Sequence, residues 1–163
     1  MKVICNSTPL IALSSINKLQ LLHNLFGEII IPEKVYSEVV IAGSGKYGSV
    51  DVKACPWIRV TRTSNYSLKN ILMQLLDEGD AEVIALADEQ KAALVIIDER
   101  LARKCASAAG FNLIGTLGII AKSKVQGYIP EARGLIATLL EKGIWFNNAL
   151  VNRILIELGE EPL

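Results

Sequence analysis

Three short stretches of the chain are apolar at every position rather than at every second one. They are "VIC" (Val3–Cys5), the centre of "EIIIP" (28–32) and "ALVIID" (93–98) up to its last residue. A strand with one face in water alternates apolar and polar side chains, because successive side chains point to opposite faces. A strand covered on both faces has no reason to alternate. Segments with apolar residues at helical spacing follow each run: "PLIALSSI" and "LQLLHNLF", then "EKVYSEVV", then "ERLARKCASAAG". "WIRVT" adds a short strand, "FNLIG" and "TLGIIAKSKVQG" continue the alternation to about residue 127, and the rest is helical. This order predicts an α/β domain of three layers, α/β/α, around a mainly parallel central sheet.

Local signals refine the boundaries. Ser7 or Thr8 is placed to cap a helix with Pro9 in its first turn, Gly27 and Gly110 stop helices, and Thr116 is placed as a cap. "AGSGKYGSVDVKACP" is expected to be an exposed loop, and "SLKNILMQLLDEGDAEVIALADEQKA" to be two helices split near Gly79. A chain of 163 residues fits one domain over 1–163, with a helical C-terminal extension from about 131 to 163. The apolar tail around Trp145 and Phe146 is expected to dock on the domain or pair with another subunit.

Charge and cysteine content exclude several classes. With 17 basic and 17 acidic residues the net charge is zero, so the chain is no general coat for nucleic acid, although a local basic patch stays open. The cysteines Cys5, Cys55 and Cys105 stand about fifty residues apart and only one histidine, His23, is present, which argues against a structural zinc site. A reduced, cytoplasmic setting is expected, with no signal-peptide pattern at the N-terminus and no membrane-spanning stretch.

In parallel α/β sheets, ligands bind beyond the carboxyl ends of the strands. Asp98 and Glu99 follow "ALVII" there, and Asp98 admits two readings, helix cap or site residue. Glu82 lies in "GDAEVIALA", a helix with no wide polar face, so a carboxylate in it needs a partner, a metal or a proton. Asp80 points elsewhere on that helix and fits a cap; Glu38 in "KVYSEVV" lies toward the flank of an apolar face. Acidic groups at strand ends, without histidine or cysteine clusters, suit a hard cation such as Mg²⁺ or Mn²⁺ and phosphoryl chemistry. The basic residues Arg100, Arg103, Lys104, Lys122 and Lys124 follow strand ends and offer either a phosphate-binding rim or a solvated helix face. "GTLG" (115–118) lacks the lysine and spacing of a phosphate-binding P-loop.

Together "NSTPLIAL", "FGEIIIPEKVYSEV", "DEGDAEVIALA", "LVIIDERLARK" and "GFNLIGTLGIIAKSKVQGYIP" resemble, in order and over most of residues 3–130, the PIN-domain superfamily of metal-dependent ribonucleases, and more narrowly its DUF3368 branch. The resemblance implies a three-layer PIN-like fold whose acids hold Mg²⁺ or Mn²⁺ and hydrolyse RNA. Carried over by position, the catalytic acids are Glu38, Glu82 and Asp98, with Asp80 and Glu99 as contributing neighbours in the metal set. Arg103 matches a basic position of the branch, with Arg100 and Lys104 beside it as candidate contacts to nucleic acid. It further implies the toxin of a type II toxin–antitoxin pair, neutralised by a small antitoxin protein, and a homodimer.

Two residues depart from the pattern. Where the family has aspartate, position 6 is asparagine, and Asp80 stands where the branch has glutamate. Asparagine keeps the shape and one oxygen, so Asn6 stays in the expected metal set as a weak neutral ligand, but it lacks the charge. A unit-charge pair at about 4 Å contributes roughly 4 kcal/mol at an effective dielectric near 20. Metal affinity and activity are therefore expected to fall. The rival reading is a catalytically inactive PIN-fold module that binds RNA or an antitoxin-like partner.

Overall fold

The computed structural model describes residues 1–163. Its sheet has five strands, β1 (Val3–Cys5), β2 (Ile29–Pro32), β3 (Ile58–Thr61), β4 (Leu94–Ile96) and β5 (Leu113–Ile114), in the order β3-β2-β1-β4-β5. Every pairing is parallel, with Ile4 beside Ile30 on one side and Val95 on the other. The two continuous apolar strands β1 and β2 are buried at every residue, as coverage on both faces requires. β3 lies at the edge, which is why Arg59 and Val60 are exposed there.

Ten helices flank the sheet. The first five are α1 (Ser7–Ser15), α2 (Gln20–Phe26), α3 (Glu33–Tyr36), α4 (Ser49–Ala54) and α5 (Tyr66–Leu72). They are followed by α6 (Glu78–Gln90), α7 (Arg100–Ala108), α8 (Thr116–Val125), α9 (Arg133–Glu141) and α10 (Asn148–Glu157). α3 runs into a π-helical turn, Ser37–Ile41, that carries Glu38. α6 packs against β1, β2 and β4 below it and against α3, α5 and α7 beside it. Nine consecutive residues, Gly79–Ala87, are buried as a result, which is why its sequence shows no polar face. No helix is long and apolar enough to cross a membrane.

The local readings need three corrections. The stretch expected as a loop contains α4, a six-residue helix whose Val52 reaches the core. The helix break falls at residues 73–77 rather than at Gly79: the Asp77 carboxylate accepts the Asp80 N–H at 2.8 Å and caps α6, leaving Gly79 inside its first turn. The N-cap of α1 is Asn6 rather than Ser7 or Thr8, because its Oδ1 accepts the Ser7 N–H at 2.8 Å.

The tail is part of the core. Ala132, Ile136, Leu139, Val151 and Leu155 are nearly or fully buried in the same apolar cluster as the strands. Each large apolar side chain so placed contributes roughly 1.5–3 kcal/mol of burial. His23 is structural, its ring stacked on Trp57 with centroids 5.3 Å apart. Trp145, in contrast, stands 80% exposed.

Candidate functional site

The chain runs β1, β2, β3 in one direction and returns to place β4 on the other side of β1. Strand order therefore reverses between β1 and β4, and the crevice beyond their carboxyl ends is where such sheets take ligands. Asn6 follows β1 there, and Asp98 follows β4 by two residues. Asn6 is 3% exposed. Its backbone N–H donates to the Ile96 carbonyl at 2.9 Å, which pins the end of β1 to β4.

The Asn6 side chain faces Asp80. Its Nδ2 donates to Asp80 Oδ1 at 2.5 Å while its Oδ1 accepts from Ser7 N–H. Only this orientation of the amide satisfies both neighbours, because the reverse would set oxygen against carboxylate and nitrogen against N–H. Asp80 is 7% exposed. Burial pushes its carboxyl up to about 6; the Asn6 hydrogen bond opposes the rise, and the charges of Asp77 and Glu99 add to it.

Glu38 closes the crevice from the π-helical turn. Its carboxylate lies so near the first turn of α6 that a Cβ on Gly79 would stand 2.7 Å from Oε1. Burial raises its pKa, with Asp77 adding to the rise and the Ser7 side chain and Lys34 opposing it. Asp98 is fixed by α8: its Oδ1 accepts Thr116 N–H at 2.8 Å and its Oδ2 accepts the Thr116 hydroxyl at 2.6 Å. Asp98 therefore caps the later helix, α8, and Glu99 caps its own helix, α7, by accepting from Leu101 and Ala102 N–H. Cys5, fully buried beneath, has a raised thiol pKa through burial and through the charge of Asp98.

Glu82 stands apart from this group. Two residues along a helix is a turn of about 200°, so Asp80 and Glu82 point to nearly opposite sides. The expected meeting of Glu82 with Asn6 and Asp98 does not occur. Its carboxylate lies 4.0 Å from Lys69 Nζ, in a cleft with Glu33, Lys34 and Glu78. The acid that faces Asn6 is Asp80. The signal that singles it out is its place directly after Gly79, at the start of a helix buried against β1.

The expected basic contacts divide in the same way. Arg103 Nη1 donates to the Ile97 carbonyl at 2.7 Å and latches the strand end, whereas Arg100 and Lys104 are exposed. Lys124 is tied to Glu160 at 2.7 Å, and Lys122 lies over the Phe26 ring.

The donors that gather here are all oxygens. No salt bridge reaches Asp80, Glu38, Asp98 or Glu99. Such unpaired carboxylates fit a hard divalent cation in chemistry. In placement, no three acidic, histidine or cysteine side chains stand close enough together to hold an ion as they are.

A family model described as a PIN domain, DUF3368, matches residues 2–160. No curated protein gives a significant match to the chain.

Proposed function

The chain belongs to the DUF3368 family of PIN domains, a nuclease-type fold, and from that premise we propose that it hydrolyses RNA phosphodiesters with the help of Mg²⁺ or Mn²⁺. The observation that carries this reading is the pair of carboxylates at the β1–β4 switch point, Asp80 and Glu38, held without a salt bridge and both with raised pKa values. Negative charge so placed, buried at Asp80 and half-buried at Glu38, attracts a divalent ion.

Drawn closer together than they stand without an ion, Asp80, Asp98 and Glu38 would hold the cation, with Glu99 beside Asp80 and Asn6 contributing no charge. When bound, such an ion activates a water and offsets charge on the phosphate oxygens. The chain's own residues do the positioning. Thr116 holds both oxygens of Asp98 in a fixed plane, and Asn6 holds one oxygen of Asp80. Gly79, lacking a Cβ, lets Glu38 approach α6.

The biological setting belongs to the same proposal. The protein acts in the cytoplasm, where Cys5, Cys55 and Cys105 remain free thiols. It is the toxin of a toxin–antitoxin pair, restrained by a small protein partner, and works as a homodimer. Exposed Ile71, Met73 and Leu75 at the end of α5, a helix that buries none of its own residues, favour a covered surface there.

A second reading is favoured by one contact. The Asn6–Asp80 hydrogen bond already engages a carboxylate oxygen that would otherwise be free to hold a cation, which suits a module that binds RNA without cutting it. RNA cleavage with Mn²⁺ or Mg²⁺ separates the two, with the protein compared against Asn6→Asp and Asp98→Asn. Gain in the first variant and loss in the second support the hydrolase. Cleavage indifferent to Asp98→Asn sinks it, and no calorimetric uptake of Mn²⁺ at millimolar concentration decides for the binding module.

A further inference from the structure

A second cleft opens on the same edge of the sheet. It encloses about 260 Å³ and is lined by, among others, Lys34, Arg62, Tyr66, Lys69, Glu78 and Glu82. Strand order sets Arg62 just past β3, Lys34 just past β2, Asn6 past β1 and Asp98 past β4. Neighbouring strands lie about 4.8 Å apart, so this row spans three intervals, roughly 14 Å. The cleft and the acid cluster are thus consecutive stations along one edge. Ser37 lines the first, and the next residue, Glu38, closes the second.

The charges in the cleft are unevenly committed. Lys69 is held by Glu78 at 3.1 Å and Glu82 at 4.0 Å, and Lys34 reaches Glu78 at 3.9 Å. Buried Glu82 thereby serves to seat Lys69. Arg62 enters no salt bridge, and its side chain makes no hydrogen bond. Tyr66, the cleft's only hydrophobic lining residue, is 49% exposed. A free guanidinium recognises a phosphate, and an exposed ring beside it offers a stacking platform that only an unstacked base can use.

We propose that the Arg62–Tyr66 cleft holds one nucleotide of single-stranded RNA, phosphate on Arg62 and base on Tyr66, and so guides the strand to the acid cluster. This inference rests on the RNA-directed reading above. Glu33, Glu78 and Glu82 balance Lys34, Arg62 and Lys69, so the cleft has no net positive field to capture duplexes or acidic chains by charge alone. Binding here depends on stacking and on one phosphate contact.

The test is fluorescence anisotropy with a short fluorescein-labelled single-stranded RNA of mixed sequence, in EDTA so that no cleavage intervenes. Tyr66→Ala is expected to weaken binding about tenfold and Tyr66→Phe to restore it. Arg62→Ala is expected to weaken binding and to flatten the slope of log affinity against log salt by about 0.7. Lys91→Ala, at the far end of α6, leaves both unchanged, and a duplex binds less tightly than the single strand. All three positions are on the surface, and a thermal melt verifies that each variant is folded. Native-like binding by Tyr66→Ala and Arg62→Ala overturns the cleft while leaving the RNA reading standing. No RNA binding by the unaltered chain overturns both. Displacement of the RNA by poly-glutamate as effectively as by unlabelled RNA makes the cleft a protein-docking groove and overturns the proposal.

Discussion

Asn6 Nδ2 donates a 2.5 Å hydrogen bond to Asp80 Oδ1, joining the end of β1 to the first turn of α6 across 74 residues of chain. Two carboxylates at this separation would repel unless a proton or a cation stood between them. Asparagine removes the need for either, and the crevice is held together by an ordinary donor and acceptor.

Asn6→Asp is therefore expected to weaken the cation-free protein while leaving the cap of α1 intact, since aspartate caps as well as asparagine. Asp80 loses its donor and gains a like charge, a cost of about 1–3 kcal/mol. Thermal melts in EDTA and in Mn²⁺ read the effect: the variant melts several degrees below the native protein in EDTA and recovers with Mn²⁺. Equal melting of the two proteins in EDTA would show that the Asn6–Asp80 contact carries no such role.

The raised pKa of Asp80 has a definite sign. An unfolded aspartate titrates near 3.9 and the folded one at about 6, so between these values the folded state binds the extra proton. Stability from this group is present below pH about 3.9 and is lost as pH rises through about 6. Urea titrations across this window are expected to show the native protein losing stability relative to Asp80→Asn. Parallel curves for the two proteins would place the Asp80 carboxyl at its ordinary value.

Gly79→Ala separates folding from the site. Inside a helix, alanine is favoured over glycine by about 1 kcal/mol. The new Cβ, however, would lie 2.7 Å from Glu38 Oε1 and 3.0 Å from Oε2, so the flexible carboxylate must swing away. In the Asn6→Asp background the melt is expected to hold or rise while Mn²⁺ binds severalfold more weakly by calorimetry. Unchanged Mn²⁺ affinity would remove Glu38 from the cation set.

Particular residues show why parts of this architecture were legible in the sequence and others were not. β1, β2 and β4 announced themselves because burial on both faces leaves no room for a polar residue, and Val3–Cys5 and Ile29–Ile31 contain none. α4 stayed hidden because six residues between glycines and Pro56 are too few for a helical period to show. Asp80 and Glu82 were both visible as acids in a helix without a polar face. Which of them faces Asn6 depends on how α6 is rolled against β1, and uniform burial of Gly79–Ala87 erases the pattern that would reveal the roll. Asp98 looked like a cap for the helix that follows it. It caps α8 instead, eighteen residues on, because β5 brings Thr116 alongside.

The C-terminal segment hangs on Glu160. Its carboxylate accepts Ala132 N–H at 2.8 Å and Arg133 N–H at 2.9 Å, the unpaired donors at the start of α9, and it pairs with Lys124 Nζ at 2.7 Å. The side chain is only 10% exposed, so water cannot replace these partners cheaply. Although burial works to raise its pKa, the hydrogen bonds from Lys124, Ala132 and Arg133 outweigh it and hold the carboxyl below its usual value. A lowered folded pKa means stability that is present above the unfolded value of about 4.3 and is lost as pH falls through the folded one. Glu160→Ala is expected to cost about 1–3 kcal/mol at pH 7, read by urea denaturation, with the gap to the native protein closing in acid. Because α9 and α10 place Ile136, Leu139, Val151 and Leu155 in the common core, the loss should appear as a single lower transition and not as separate melting of the tail. A variant within about 0.5 kcal/mol of native at pH 7 would mean that apolar packing alone holds the tail in place.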